Sequence, residues 1–334
     1  MIKKQRILSG MRPTGPLHLG NYHGALANWV NMQDQYECFF FIADWHALTS
    51  DYEDTQFITE NISQMMIDWL SVGLSPEKST LFVQSQIKEH AELFLLLSMI
   101  TPLAWLERNP TYKYQIVQLN NKDVSTFGFL GYPVLQAADI IMYMADAVPV
   151  GIYQVPHVEI TREIARRFNY LYGEIFPEPK SVLTETPKIL GLDRRKMSKS
   201  YDNAIYLSDE PDVIRAKVLQ MITDPQRMRK SDPGNPDICN VYEFHKLYSK
   251  EETILKIKNE CKIAKIGCVE CKKIIGENLI ASLAPIQDKR FYYEKHRELV
   301  NETISEGCKK ARSIAKKTME LVRSAVKIQY VLNS

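Results

Sequence analysis

The sequence predicts an α/β protein: a parallel sheet covered by helices over residues 1–203, followed by an all-helical part over residues 204–334. Three observations predict it. Short apolar runs alternate with helix-period segments in the first part, the pattern of parallel strands buried on both faces. Such runs stop after residue 203. A Gly/Pro-rich loop follows the first apolar run and leads straight into a helix, which is where α/β sheets bind their ligands.

The elements follow in order. Ile7 and Leu8 start the first strand, and residues 9–21 form the loop. Tyr22, Ala25, Leu26, Trp29 and Val30 share one helical face. Residues 38–43 (Cys-Phe-Phe-Phe-Ile-Ala) read as a buried strand, as do 80–84 and 147–150. Ile58, Ile62, Met65, Met66 and Trp69 mark a long helix with Gly73 as its stop. In the second part, 212–222, 241–248, 251–262, 272–283 and 303–331 read as helices, with a Pro/Gly-rich linker at 225–236. There is no internal repeat.

Composition bounds the function. Hydrophobic residues at 45% and charged residues at 25% exclude a disordered or collagen-like chain. The N-terminus has charge but no apolar core, so it does not read as a signal peptide. The longest apolar stretch, 93–106, is broken by Ser98, Thr101 and Pro102 and is too short to cross a bilayer. We therefore expect a soluble, cytoplasmic protein with no membrane part. Residues 1–200 carry 18 Lys/Arg against 21 Asp/Glu, whereas 201–334 carry 24 against 19. The basic second half suits a polyanionic partner, although on charge alone a solvated helical surface is the better reading.

Two stretches point to triphosphate chemistry. Residues 9–21, Ser-Gly-Met-Arg-Pro-Thr-Gly-Pro-Leu-His-Leu-Gly-Asn, put free backbone N–H groups at a helix start, where an anion is favoured. His18 and Asn21 add donors, and Gly20 lets a nucleotide approach the backbone. Far downstream, Lys196-Met197-Ser198-Lys199-Ser200 offers two mobile cations with no carboxylate between them. Either stretch alone is an ordinary capped turn or a basic loop; the pair is hard to obtain by chance. Asp139 is a further candidate. It lies in the nearly apolar helical run 136–143, and a carboxylate there needs a partner. An indole N–H, a donor with no acceptor, is one such partner; a structural arginine is another.

The two stretches resemble the signature motifs of the class I aminoacyl-tRNA synthetases. Ser9-Gly10-Met11-Arg12-Pro13-Thr14-Gly15, Ala43-Asp44-Trp45-His46-Ala47-Leu48, Tyr132-Pro133-Val134-Leu135-Gln136-Ala137-Ala138-Asp139-Ile140 and Val148-Pro149-Val150-Gly151 further resemble the tryptophanyl-tRNA synthetases. The likeness runs from residue 6 to the last helix. It implies a Rossmann-like catalytic domain (1–203) and a helical domain that binds the tRNA anticodon (204–334). The implied activity activates L-tryptophan with ATP and Mg²⁺ and passes it to tRNA(Trp), releasing pyrophosphate and AMP; the enzyme would be a homodimer. By the same resemblance His18, Asn21, Lys196 and Lys199 are catalytic. The ATP contacts fall on Arg12, Pro13, Thr14, Gly20, Asn21, Gly151, Ile152, Tyr153, Ile189, Lys196, Met197, Ser198, Lys199 and Ser200. Tryptophan would meet Asp139, Tyr132, Gln154, His46, Gln136, Val148 and Val150. An unpaired acceptor at Asp139 would reject phenylalanine outright. Tyrosine as substrate and a non-catalytic RNA-binding paralogue are the competing readings; a small adenylyltransferase would not need the basic helical half.

The chain departs from the family at three places. Ile152-Tyr153 replaces Glu-Asp, which puts the ribose contact in doubt. Arg194 stands in an Asp-Arg-Arg where Asp-Gly-Arg is usual, and Asp202 replaces a glycine. Finally, Cys239, Cys261, Cys268 and Cys271 crowd into 33 residues. Four thiolates suit Zn²⁺ or an iron–sulfur cluster equally. A branch of the family that carries a [4Fe–4S] cluster at similar spacing implies the cluster, in a structural role.

Overall fold

The computed structural model describes residues 4–118, 123–184 and 189–329, the side chains of 114, 118 and 153 apart. Five strands form one parallel sheet: β1 (Arg6–Met11), β2 (Glu37–Ile42), β3 (Ser79–Val83), β4 (Ala147–Val150) and β5 (Lys180–Leu183). Their order is β3-β2-β1-β4-β5. The chain moves outward from β1 to β3, then returns to the other side of β1. The carboxyl ends of β1 and β4 therefore flank the point where strand order reverses, the place where such sheets hold ligands.

Between the strands lie α1 (Leu19–Asn21), a π-helical turn at Tyr22–Leu26, α2 (Ala27–Met32), α3 (Asp44–Asp51) and α4 (Ile58–Ser71). They are followed by α5 (Glu89–Ser98), α6 (Leu103–Glu107), α7 (Pro110–Gln118), α8 (Phe127–Met142) and α9 (Val155–Tyr172). β2 shows why its apolar run is unbroken: both of its faces are covered. Phe40 stacks on Trp29 at 4.5 Å on one side, while Phe39 stacks on Tyr143 at 5.1 Å on the other. Gly73 has φ +107 and closes α4 as expected.

After residue 203 no strand occurs among the described residues. The helices are α10 (Pro211–Gln220), α11 (Asn240–Tyr248), α12 (Glu251–Lys262), α13 (Cys268–Lys295) and α14 (Arg297–Ala325). α13 runs past the expected end at 283 and carries Pro285 in its interior. The last helix begins earlier than the expected 303 and ends at Ala325; residues 330–331 of that expectation lie outside the described residues. α13 docks on α4 through Arg290, whose Nη1 lies 2.5 Å from Asp68 Oδ1 and whose Nη2 lies 2.5 Å from Gln64 Oε1. α14 returns to the sheet. A Cβ on Gly307 would lie 1.7 Å from the Leu81 carbonyl oxygen, so only glycine lets this helix approach β3. Thr318 Oγ1 donates to Met142 O at 2.8 Å, and Arg323 pairs with Glu92. The edge of the sheet at β3 is thereby braced.

Candidate active site

His18 is the N-cap of α1. Its Nδ1 accepts from Asn21 N at 3.2 Å, and Asn21 Oδ1 accepts from His18 N at 3.1 Å. Burial, and then the charges of Lys199 and Lys196, lower the His18 pKa to about 4. The ring is therefore neutral at pH 7. With Nδ1 an acceptor, Nε2–H is its donor. The π-helical turn follows at once; such turns interrupt helices mostly at functional sites.

The lysine segment folds onto this loop. Leu19 N donates to Ile205 O at 3.0 Å and Leu207 N to Leu17 O at 2.9 Å, so the strap after the lysines pairs with the backbone around His18. Lys199 Nζ stands 3.5 Å from Thr14 Oγ1. Burial lowers its pKa to about 8; Arg12 adds to the effect, and Asp68 and Asp51 oppose it. Buried Met197 lies over Gly20, where a Cβ would come within 3.5 Å of its own. Lys196 and Ser200 are exposed, and Ile189 is buried beside the loop.

Asn203, which the sequence did not single out, clamps the loop. Its Oδ1 accepts from Ser198 N at 2.8 Å, while its Nδ2 donates to Lys196 O at 3.2 Å and Asp193 Oδ1 at 2.7 Å. Gly191 makes room for it, since a Cβ there would fall 2.2 Å from Asn203 Cγ. The two positions where the family has glycine are both left-handed here: Arg194 has φ +67 and Asp202 has φ +47. The loop keeps its backbone path, and each non-glycine residue costs about 1–2 kcal/mol for it.

Asp139 sits on α8, on one stripe with Tyr132, Gln136 and Tyr143, and is fully buried. Its Oδ1 accepts from His90 Nδ1 at 2.6 Å and its Oδ2 from His46 Nε2 at 2.7 Å. Gln84 Nε2 reaches both oxygens, at 2.8 and 2.9 Å. Burial pushes this carboxyl up, but the bonds and charges of His46 and His90 hold it below the usual range. Among the described residues no arginine bonds it. Both oxygens of this carboxylate thus have protein donors, from His46, His90 and Gln84. His46 is its one partner that reaches the surface, with 12% of its side chain exposed against none for Asp139.

Around this pair stand three buried polar atoms without hydrogen-bond partners: Tyr132 Oη, Gln84 Oε1 and His157 Nδ1. Tyr132 and His157 meet edge-on at 5.5 Å, and burial, with the charge of His46, lowers His157 to about 4. Val148 and Val150 are buried in β4, and Gln136 is half-buried. Gln154 does not join Tyr132. Its Oε1 accepts from Gly151 N at 3.2 Å and the residue is exposed. Ile152 is also exposed; the side chain of Tyr153 lies outside the described residues.

The four cysteines are free thiols. Cys271 is pushed up to about 12 by burial and by the nearness of Cys239, Cys261 and Cys268. Arg227 Nη1 lies 3.9 Å from Cys261 Sγ and 3.8 Å from Cys268 Sγ, and Cys271 Sγ lies 3.4 Å from His245 Nε2. A Cβ on Gly234 would strike Cys261 Sγ at 2.5 Å. Burial and mutual proximity thus keep Cys239, Cys261 and Cys271 as thiols, and only added positive charge would favour four thiolates here. Among the described residues, however, no group of three or more His, Cys, Asp or Glu side chains is arranged to hold a metal ion.

Residues 2–284 match the family described as tRNA synthetases class I (W and Y). A tryptophan--tRNA ligase of Thermotoga maritima is 52% identical over 97% of this chain and 100% of its own length. One from Aquifex aeolicus is 48% identical at the same coverages. The crystal structure of the Campylobacter jejuni tryptophanyl-tRNA synthetase complexed with ADP and tryptophan superposes with a TM-score of 0.89, at 32% identity over 97% of this chain and 100% of that one. The chain belongs to the class I tRNA synthetases for tryptophan and tyrosine. Within that class it is a member of the tryptophanyl-tRNA synthetase family, the tryptophan–tRNA ligases.

Proposed function

We propose that the ligase reaction runs at the carboxyl ends of β1 and β4, with the two motifs handling the triphosphate and Asp139 choosing the amino acid. In the first step a carboxylate oxygen of L-tryptophan attacks the α-phosphorus of ATP. The bond to the β-phosphate oxygen breaks and pyrophosphate leaves. In the second, a ribose hydroxyl at the 3′ end of tRNA(Trp) takes the aminoacyl group and AMP leaves. Such transfers need alignment and charge neutralisation rather than a protein nucleophile. His18 Nε2–H and the Asn21 amide face the phosphates, Lys196 and Lys199 meet the charge growing on pyrophosphate, and Mg²⁺ travels on the ATP. The loop residues Arg12, Pro13, Thr14, Gly20, Met197, Ser198 and Ser200 line the nucleotide on one side; Gly151, Ile152, Tyr153 and Ile189 line it on the other.

Tryptophan binding exchanges one donor for another. The indole N–H takes the place of His46 at Asp139 Oδ2. A side chain with no N–H cannot replace that bond, and this refuses phenylalanine. Tyr132 and Gln136 take the ammonium end, and Val148 and Val150 the apolar wall; Gln154, exposed and bonded to Gly151 N, joins them only by turning inward. The observation that carries the reading is the pairing of the His18 loop with the strap after Lys199, through Leu19–Ile205 and Leu17–Leu207.

We assign residues 204–334 to tRNA binding, with the boundary near 203 and α14 returning to brace the sheet. Cys239, Cys261, Cys268 and Cys271 would hold a [4Fe–4S] cluster, with Zn²⁺ as the alternative occupant; either would supply the positive charge that lets four thiolates coexist. Exposed Leu95, Met99, Leu103, Val117 and Phe127 crowd the helices between β3 and β4, a face suited to a second copy in a homodimer. Free cysteines fit the reducing cytoplasm, and among the described residues no helix is long and apolar enough to cross a membrane. The test is amino-acid dependence of ATP–pyrophosphate exchange: tryptophan supports exchange, and tyrosine does not. Exchange with tyrosine instead would overturn the reading.

A further inference from the structure

A chain of polar groups runs behind Asp139, away from the phosphate loop. His90 Nδ1 lies 2.6 Å from Asp139 Oδ1, and His90 Nε2 lies 2.7 Å from Tyr143 Oη. All three side chains are fully buried. The proton positions follow from chemistry. A carboxylate only accepts, so His90 Nδ1 carries the hydrogen. In a neutral ring Nε2 then accepts, and the Tyr143 hydroxyl donates. Tyr143 and Asp139 are four residues apart, at the end of α8, so the α5 histidine bridges two successive turns of that helix.

The rings cannot turn easily. Tyr143 stacks on Phe39 at 5.1 Å and meets Phe82 at 5.2 Å. His90 has Phe41 at 6.3 Å and Phe82 at 6.2 Å. An apolar cage of this kind is filled more cheaply by apolar side chains than by a hydroxyl, an imidazole and a carboxylate. What the polar chain adds is direction: Gln84 Nε2 bridges both oxygens alike, so the His90 bond to Oδ1 sets which oxygen points inward and which faces His46.

We propose that His90 and Tyr143 are positioning residues for tryptophan recognition. Tyr143 orients His90, His90 holds Asp139 Oδ1, and Oδ2 is thereby presented to the indole N–H. The inference rests on the reading of Asp139 as indole acceptor.

The test is equilibrium binding to the full-length enzyme of tryptophan and of its benzothienyl analogue, which carries sulfur in place of the indole N–H. The readout is the ratio of the two dissociation constants. Tyr143→Phe lowers that ratio about tenfold, or about 1.4 kcal/mol, and leaves the KM for ATP unchanged. His90→Leu does the same. His90→Asn, which keeps a donor near the place of Nδ1, retains most of the ratio and keeps the proposal testable if Tyr143→Phe folds poorly. A merely structural defect weakens both ligands alike, so an unmoved ratio in Tyr143→Phe and His90→Leu overturns the proposal. Asp139→Ala, which leaves no acceptor, separates the failures: if it collapses the ratio while those two do not, the relay alone is wrong. If it too leaves the ratio intact, the reading of Asp139 falls with it.

Discussion

Lys199 Nζ and Thr14 Oγ1 stand 3.5 Å apart, although 185 positions separate them in the chain. The contact itself is weak. Its meaning lies in what surrounds it: the strap that follows Lys199 is hydrogen-bonded to the backbone on both sides of His18, and Asn203 locks the lysine loop to that strap. Two lysines and the helix start at His18 are thus held together by the fold itself, the preorganisation that the proposed charge stabilisation requires.

Removing the cation should therefore cost rate more than binding. Lys199→Ala is expected to lower the rate of ATP–pyrophosphate exchange by about 10²–10³-fold, in line with loss of one donor aimed at developing charge. The KM for tryptophan should change less than about twofold, because no contact with Asp139 is lost. Steady-state exchange kinetics check this; a defect confined to tryptophan binding would contradict the assigned role.

The same lysine sets an alkaline limit. Its pKa is lowered to about 8, and only its protonated form can meet the pyrophosphate charge. kcat/KM for ATP reports the free enzyme and should fall as pH rises through about 8. kcat should hold to higher pH, since bound phosphates favour the ammonium. Lys199→Arg, charged throughout, should remove the fall in kcat/KM. Exchange measured across pH 6.5–9.5 would show it.

The sheet and the two motifs were legible because their signals are local. β1 to β4 each carry a short apolar run (7–8, 38–42, 81–83 and 147–150), and the loop after β1 announces itself by Gly, Pro and a helix start. β5 was not legible: it is a four-residue edge strand whose end residues, Lys180 and Leu183, are exposed. His90 sits in Lys-Glu-His-Ala-Glu, a stretch that looks solvated, yet it is fully buried beside Asp139. Gln84 closes an apolar run and looks like the end of a strand. The return of α14 was hidden by its charges. Lys309, Lys310, Lys316 and Lys317 suggest a free basic surface, while Ala311, Ala315, Met319 and Val322 on the opposite face are buried. Pairings set by tertiary packing leave no periodic trace.

Arg290 ties α13 to α4, and its loss should be costly. Asp68 is buried, and its carboxyl also accepts from the Leu17 backbone, next to His18. Burial raises it to about 6, with Arg290 pulling the other way. Arg290→Ala leaves a buried charge uncompensated and should destabilise the protein by about 3–5 kcal/mol at pH 8. The sign with pH is definite. A carboxyl raised in the folded state is neutral there below about 6, so the penalty should shrink at pH 5 and grow through pH 6. Urea unfolding at the two pH values measures the difference; an equal loss at both would rule out Asp68 as the cause.

The cysteine site should act on tRNA rather than on the adenylate. Cys268 and Cys271 lie in the first turn of α13, but the later turns of that helix are held independently. Gln287 Nε2 donates to Asp209 O at 2.9 Å and to Leu207 O at 3.3 Å, and Arg290 is paired with Asp68. Loosening the first turn therefore leaves the strap over the phosphate loop in place. Cys271→Ser is expected to raise the KM for tRNA(Trp) about tenfold, equivalent to about 1.4 kcal/mol, while ATP–pyrophosphate exchange stays within twofold. It should also abolish the brown colour of anaerobically purified protein if iron occupies the site, and the bound zinc if zinc does. Equal loss of exchange and charging in a folded variant would mean that the cysteines support the catalytic sheet itself.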